Sequence, residues 1–187
     1  MHTKAPDPTD LLIQAIRGTL HNAQDGELPL FAWTLGMDQP TFQTMLTHCL
    51  PELVDAQPLT AQQHSRLGRN TPPDFALLVG LIYTHRSTAV QSWHTEWLAR
   101  AVAAACFGSR RLWEDMGLSE FEDVSRLLSH YFPSLFALNI QSLQWKQFLF
   151  KELGMQRGQP GLRPPTCERC ENYSRCFPSQ RVERCLP

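Results

Sequence analysis

Apolar residues recur along this chain at intervals of three and four, and strict alternation never lasts for the length of a strand. That period predicts an all-α body, because an amphipathic helix buries one stripe of its surface whereas a half-exposed strand alternates at every residue. Leu12, Ile16 and Leu20 share one face of a first helix, with Thr9 or Asp10 as its cap and Asp25-Gly26 at its end. A second helix starts near Asp38, carries Phe42, Met45, Leu46 and Cys49 at i, i+3, i+4 and i+7, and is stopped by Pro51. In TPPDFALLVGLIYTHR the cap falls on Thr71, a proline opens the first turn, and Phe75, Leu78 and Ile82 form the core face. The alanine-rich AVQSWHTEWLARAVAAACF sets Trp93 and Trp97 one turn apart and breaks at Gly108. LSEFEDVSRLLSHYF has Ser119 and Glu122 in capping-box register and ends at Pro133, and QSLQWKQFLFKEL is amphipathic up to Gly154.

Beyond Gly154 the pattern changes. The glycines and prolines of GMQRGQPGLRPP exclude a regular helix, so the chain divides into a helical bundle at 1–153 and, at 154–187, a Gly/Pro hinge with an irregular Cys-rich tail. Charge divides at the same place. The tail holds six arginines against three glutamates, net +3, which leaves the body at −4 in a chain of net −1. At 187 residues the chain can bury a core without cross-links. Its 42% hydrophobic and 19% charged residues exclude a disordered chain and a general nucleic-acid binder. No apolar run approaches the roughly 20 residues of a membrane span, and the first residues lack the apolar stretch of a signal peptide. The expected compartment is the cytoplasm, where clustered cysteines signal metal more often than disulfide.

Four of the six cysteines fall in the last 21 residues, as C-x2-C-x5-C-x8-C at Cys167, Cys170, Cys176 and Cys185. A C-x2-C turn sends both sulfurs to one side, and Cys176 folds back from a short loop to join them. Thiolates are soft ligands for zinc and for iron–sulfur clusters. Spacing alone leaves both open: zinc as a structural staple, which favours four closed ligands, or a cluster. Arg169, Arg175, Arg181 and Arg184 stand among the cysteines, where a cation favours thiolate or attracts an oxyanion, or is simply a solvated loop charge.

AAACFGSRRLWEDMGLSEFEDVSRLLSHYFPSLFALNIQSLQWKQFLFKEL, followed by PPTCERCENYSRCFP, resembles the NifQ family, which handles molybdenum in nitrogenase cofactor assembly. The resemblance runs in order from about Phe31 to Pro178. Its most specific pieces are the Leu-Trp-x-Asp-x-Gly-Leu run at Leu112–Leu118, the Trp-Lys-x-Phe run at Trp145–Phe148 and the cysteine tail. It implies a cytoplasmic, non-enzymatic carrier with an iron–sulfur cluster of 4Fe–4S or 3Fe–4S type. Such a carrier takes up molybdenum from molybdate and passes it to the scaffold and reductase components of cofactor assembly. The family motif, C-x4-C-x2-C-x5-C, is matched at its last three positions. Leu162 stands at the first, and Arg111 replaces a histidine before Leu-Trp. With Leu162 unable to ligate, Cys185 is the favoured fourth thiolate, since the eight residues between it and Cys176 leave ample reach. The alternatives are a three-cysteine cluster open at one corner and a degenerate site. The rival function is a helical interaction protein with a zinc-stapled tail.

Outside the tail, His85 and Arg86 follow a helix end, either as a C-terminal cap or, with Arg169 and Arg175, as candidate oxyanion contacts. His130 reads as packing or capping. Cys49 and Cys106 lie on apolar faces as buried thiols, Trp93, Trp97, Trp113 and Trp145 as core, and Lys146 as a surface charge or an anion contact.

Overall fold

Asp7, upstream of the two predicted caps, starts the first helix: its Oδ1 accepts the Thr9 N–H at 2.8 Å, and Pro8 has no N–H to satisfy. The structure, a computed structural model, describes residues 7–54 and 59–178. Its helices are α1 (Pro8–Gln24), α2 (Gln39–Cys49), α3 (Pro51–Val54), α4 (Ala61–Gly68), α5 (Pro73–Thr84), α6 (Ser92–Ala105), α7 (Leu112–Asp115), α8 (Phe121–Tyr131), α9 (Pro133–Leu138), α10 (Trp145–Gln156) and α11 (Tyr173–Cys176). Short 3-10 turns lie at Leu30–Thr34 and Cys167–Arg169. The described residues contain no strand, and no helix among them is long and apolar enough to cross a membrane. The all-α expectation holds.

Three further predicted termini move, each for a local reason. Thr71 donates its hydroxyl to the Gly68 carbonyl, ending α4, and α5 begins after Pro72. At the start of α8 the carboxylate of Asp123 takes the N–H groups of Ser119 and Glu120, so Asp123 does what Ser119 and Glu122 were expected to do. Gly154 sits inside α10, where any Cβ would come within 2.9 Å of the Leu162 Cβ and 2.6 Å of the Gln159 carbonyl oxygen. It is a close-packing glycine, and the helix continues to Gln156. The Asp38 cap and the Asp25-Gly26 stop stand as expected.

The centre of the body is α6. From Ala101 to Ala105 it is buried on every side, and its run of small residues lets α1 and α5 approach closely. Phe31, Phe75 and Phe107 pack edge to face beneath it, with ring centroids 5.1 and 5.4 Å apart at the Phe31 contacts. Trp97 is buried, as expected, and Trp93 lies against it at 4.6 Å.

α1 meets the turn after α7 at backbone distance. A Cβ on Gly18 would stand 2.3 Å from the Met116 carbonyl oxygen, and Gly117 faces it at φ +63°. The side chain of Asn22 reinforces the junction, donating to the carbonyls of Glu114 and Asp115 at 3.0 Å each. Replacing Gly18 by alanine must therefore push α1 off α7, at an expected cost of about 1–3 kcal/mol for overpacking. Urea unfolding of Gly18→Ala measures this, and an unchanged midpoint would show that the junction yields freely.

Candidate metal site

After α6 the chain turns sharply through Gly108, whose missing side chain makes room for a carboxylate: a Cβ there would lie 2.2 Å from Asp115 Oδ2. Asp115 is completely buried and lies within the Leu112–Leu118 run. Lys146, from the Trp145–Phe148 run in the first turn of α10, reaches it at 2.5 Å. The same ammonium donates to the carbonyls of Gly108 and Arg110 at 2.9 and 2.8 Å. Arg110 completes the cluster, its Nε 3.0 Å from Asp115 Oδ1 and 3.8 Å from Glu27. Lys146 is thus neither a surface charge nor a free anion contact. It is a strut, 12% exposed, that joins α10 to the 108–115 segment.

The tail comes back onto this strut. Thr166 donates its hydroxyl to the Gly108 carbonyl at 2.5 Å, Arg111 reaches Asn172 at 3.4 Å, and Gln147 donates to the Cys176 carbonyl at 2.8 Å. Arg163 bonds the Tyr173 hydroxyl at 2.9 Å and lies over the Phe177 ring. Hydrogen bonds from Gln159 N–H to the Gly154 carbonyl and from Leu162 N–H to the Gln159 carbonyl order the predicted hinge.

Between tail and body lies a pocket of about 40 Å³, lined by Cys167, Cys170 and Cys176 on one side and by the 108–113 segment and the start of α10 on the other. Trp113, Phe121 and Trp145 form its apolar wall. All three cysteines are half-buried and free. Burial, then the neighbouring sulfurs of Cys176 and Cys170, push the Cys167 thiol up to about 11, with Lys146 and Arg163 acting against the rise. The Cys176 thiol is raised by burial and by Cys170, and Arg175 opposes. Cys167 and Cys176 thus hold their protons more firmly than free thiols, and a bound cation would reverse that balance.

An iron–sulfur cluster fits this donor set in its chemistry: three thiols share one pocket, and no carboxylate lines it. The thiols are not a finished coordination shell, since no group of three or more His, Cys, Asp or Glu side chains among the described residues stands ready to hold an ion. Leu162, at the position of the missing cysteine, packs against the hydrophobic core and does not line the pocket. Cys185, Arg181 and Arg184 lie outside the described residues.

The remaining candidates are dispersed. His85 forms the C-terminal cap of α5, with Nδ1 2.9 Å from the Ser134 hydroxyl. Arg86 lies over the Tyr83 ring and donates to the Tyr83 carbonyl. Neither lines the cysteine pocket, and neither do the exposed Arg169 and Arg175. Reading the sequence picked out the cysteines but missed Gly108, Arg110, Asp115 and Thr166 as parts of the site. The available signal was that the two most distinctive runs, Leu112–Leu118 and Trp145–Phe148, each contribute one half of the buried ion pair.

Cys49 and Cys106 are buried, as expected, and burial raises their thiols to about 11 and about 12. Below the ordinary thiol value of 9.0 both folded and unfolded chains keep these protons. As pH rises above it the unfolded chain ionises first, so this contribution to stability falls progressively until the folded thiols ionise too. Cys106→Ala should flatten that decline in urea unfolding at stepped alkaline pH; a decline as steep as in the parent would assign it to other groups.

Lys146→Met leaves the buried Asp115 with Arg110 alone, at an expected cost of about 3–5 kcal/mol. Lys146→Met combined with Asp115→Leu should recover much of the loss, because no charge is then stranded. Equal instability of the single and double variants would contradict the strut.

The NifQ family model, described simply as NifQ, matches residues 14–178. Protein NifQ of Azotobacter vinelandii is 43% identical over 81 residues, which is 43% of this chain and 42% of that one. A NifQ homolog of Sinorhizobium fredii is 30% identical over 115 residues, 62% of this chain and 49% of its own. Protein NifQ of Rhodobacter capsulatus is 31% identical over 81 residues, 43% and 45% of the two chains. The chain thus spans less than half the length of each of these relatives. No solved structure matches it.

Proposed function

The chain belongs to the NifQ family, and from that premise we propose that it is an iron–sulfur protein that binds molybdenum and donates it for assembly of the nitrogenase iron–molybdenum cofactor. One observation carries the reading: Cys167, Cys170 and Cys176 line a single pocket against the two runs that carry the family resemblance. A bound cluster supplies bridging sulfide, a soft ligand for molybdenum. The chain's own part is to hold and shield. Cys167, Cys170 and Cys176 hold the cluster, with Cys185 as the fourth thiolate. Gln147 fixes the backbone at Cys176, and Trp113, Phe121 and Trp145 keep bulk water from one side.

Molybdate is the cargo in this reading, and the scaffold and reductase components of cofactor assembly in the cytoplasm receive the metal. The chain acts as a carrier without turnover. Docking of the tail on the body at Thr166 and Gln147 presents the thiols at the rim of a folded surface that a receiving protein can engage.

Anaerobic purification with metal and sulfide analysis tests the proposal. Iron with sulfide and a brown visible absorbance are expected, lost in Cys167→Ala, Cys170→Ala and Cys176→Ala. Molybdenum should be retained after incubation with molybdate and gel filtration. Zinc without iron or colour would sink the carrier reading in favour of a zinc-stapled interaction protein. Full iron content in Cys185→Ala would remove Cys185 from the ligand set.

A further inference from the structure

The pocket beside the thiols carries a charge pattern that a metal site alone does not require. Its lining includes Arg110, Arg111 and Lys146 and no aspartate or glutamate. A cluster needs soft donors; Lys146 and Arg110 are already paired with Asp115, so Arg111 is the cation that brings uncompensated positive charge to this recess, where it favours an anion. An inventory of donors shows which of these groups are free to bind one. The ammonium of Lys146 has three protons, and all three are directed at Gly108, Arg110 and Asp115, so neither its donors nor its charge is left over. Thr166 has given its hydroxyl proton to Gly108, and Gln147 donates to Cys176.

The two arginines differ. Arg110 binds Asp115 through Nε, and its Nη2, although without a hydrogen-bond partner, is shut off from solvent and so is not presented to an incoming ligand. Arg111 is exposed, lies over the Trp113 ring at 5.7 Å and reaches Asn172 through one long bond of 3.4 Å. A guanidinium so loosely held swings to a better acceptor at little cost, and its fork suits the edge of a tetrahedral oxyanion. The pocket, at about 40 Å³, takes a group of a few heavy atoms, since one water needs roughly 10–15 Å³ by the same measure.

We propose that this pocket is a receiving subsite for a tetrahedral oxyanion of the molybdate class, held by Arg111 beside Cys167, Cys170 and Cys176. The identity of the anion rests on the carrier reading above; the subsite itself rests on the loosely held Arg111 guanidinium and the acid-free lining. It puts anion capture at the 108–111 turn, and His85, Arg86, Arg169 and Arg175 play no part in it.

The test titrates tungstate and molybdate, with sulfate as competitor, into the full chain as purified, read by calorimetry and by tryptophan fluorescence, since Trp113 lies under Arg111. Arg111→Gln should weaken tungstate binding at least about tenfold, the loss of one hydrogen bond to a charged group. Arg111→Lys, which keeps the charge and loses the fork, should fall between it and the parent. Arg86→Gln should bind as the parent does, and iron content should be unchanged in all three. Arg111 is exposed, so these variants fold, and thermal melting verifies that.

Binding in Arg111→Gln within about twofold of the parent, or no binding by the parent, overturns the subsite. So does joint loss of iron and anion affinity in that variant, because Arg111 would then hold the tail and not the anion. A chain that carries zinc and no iron, yet binds tungstate through Arg111, keeps the subsite and sinks the carrier reading. Iron loading with no effect of Arg111→Gln does the reverse.

Discussion

The carbonyl of Gly108 is where this structure is tied together. It accepts from Lys146 on α10 and from Thr166 in the tail, at 2.9 and 2.5 Å, while its own residue stays bare so that Asp115 can stand beside it. Any side chain at 108 would displace the buried carboxylate. The ammonium would then lose its counter-charge, and the turn would lose the strut that fixes where the tail lands. Body, ion pair and cysteine pocket therefore depend on one small residue. Such an arrangement tolerates change poorly, because a buried charge without its partner costs several kcal/mol while the intact pair gives little net stability. The ion pair here specifies geometry more than it adds to the stability of the fold.

The helical body was legible in the sequence because it is written in period and punctuation. Asp38, Asp25-Gly26 and the alanine run of α6 act through local backbone chemistry or through a single buried face, and both leave a trace over a few residues. The misplaced termini have a common physical origin. At Thr71, Ser119 and Gly154 more than one residue was able to satisfy the same backbone groups or the same helix end, and neighbours within a few positions along the chain decided among them. Gly154 reads as a breaker by propensity, yet it serves to let Leu162 pack against α10.

The site was legible only in its cysteines. Thiol spacing is local, whereas the ion pair joins residues 31 positions apart and Thr166 bonds a carbonyl 58 positions away. Arg111 shows the same limit from another side. As a letter it marks a departure from the family's histidine. In place, it is a loosely tethered guanidinium at the mouth of a pocket without acids. The positive balance of the tail also has a different meaning once folded. The tail arginines 169 and 175 face outward, and the cations that line the pocket come from the body, although the body's net charge is −4.

Leu162 gives the sharpest constraint on how the three thiols can be completed. It occupies the place of the motif's first cysteine, but its side chain is enlisted by the core beside Gly154 and is absent from the pocket lining. A cysteine there would face the same packing, so restoring the letter does not by itself restore a ligand. The chain segment would have to lift from α10, breaking the bonds that run from Gln159 to Gly154 and from Leu162 to Gln159. Position 162 therefore supplies no fourth donor unless that segment rearranges. The three thiols and Arg111 line the same pocket, so soft donors and a hard cation stand side by side there, which is the combination that the proposed oxyanion subsite requires.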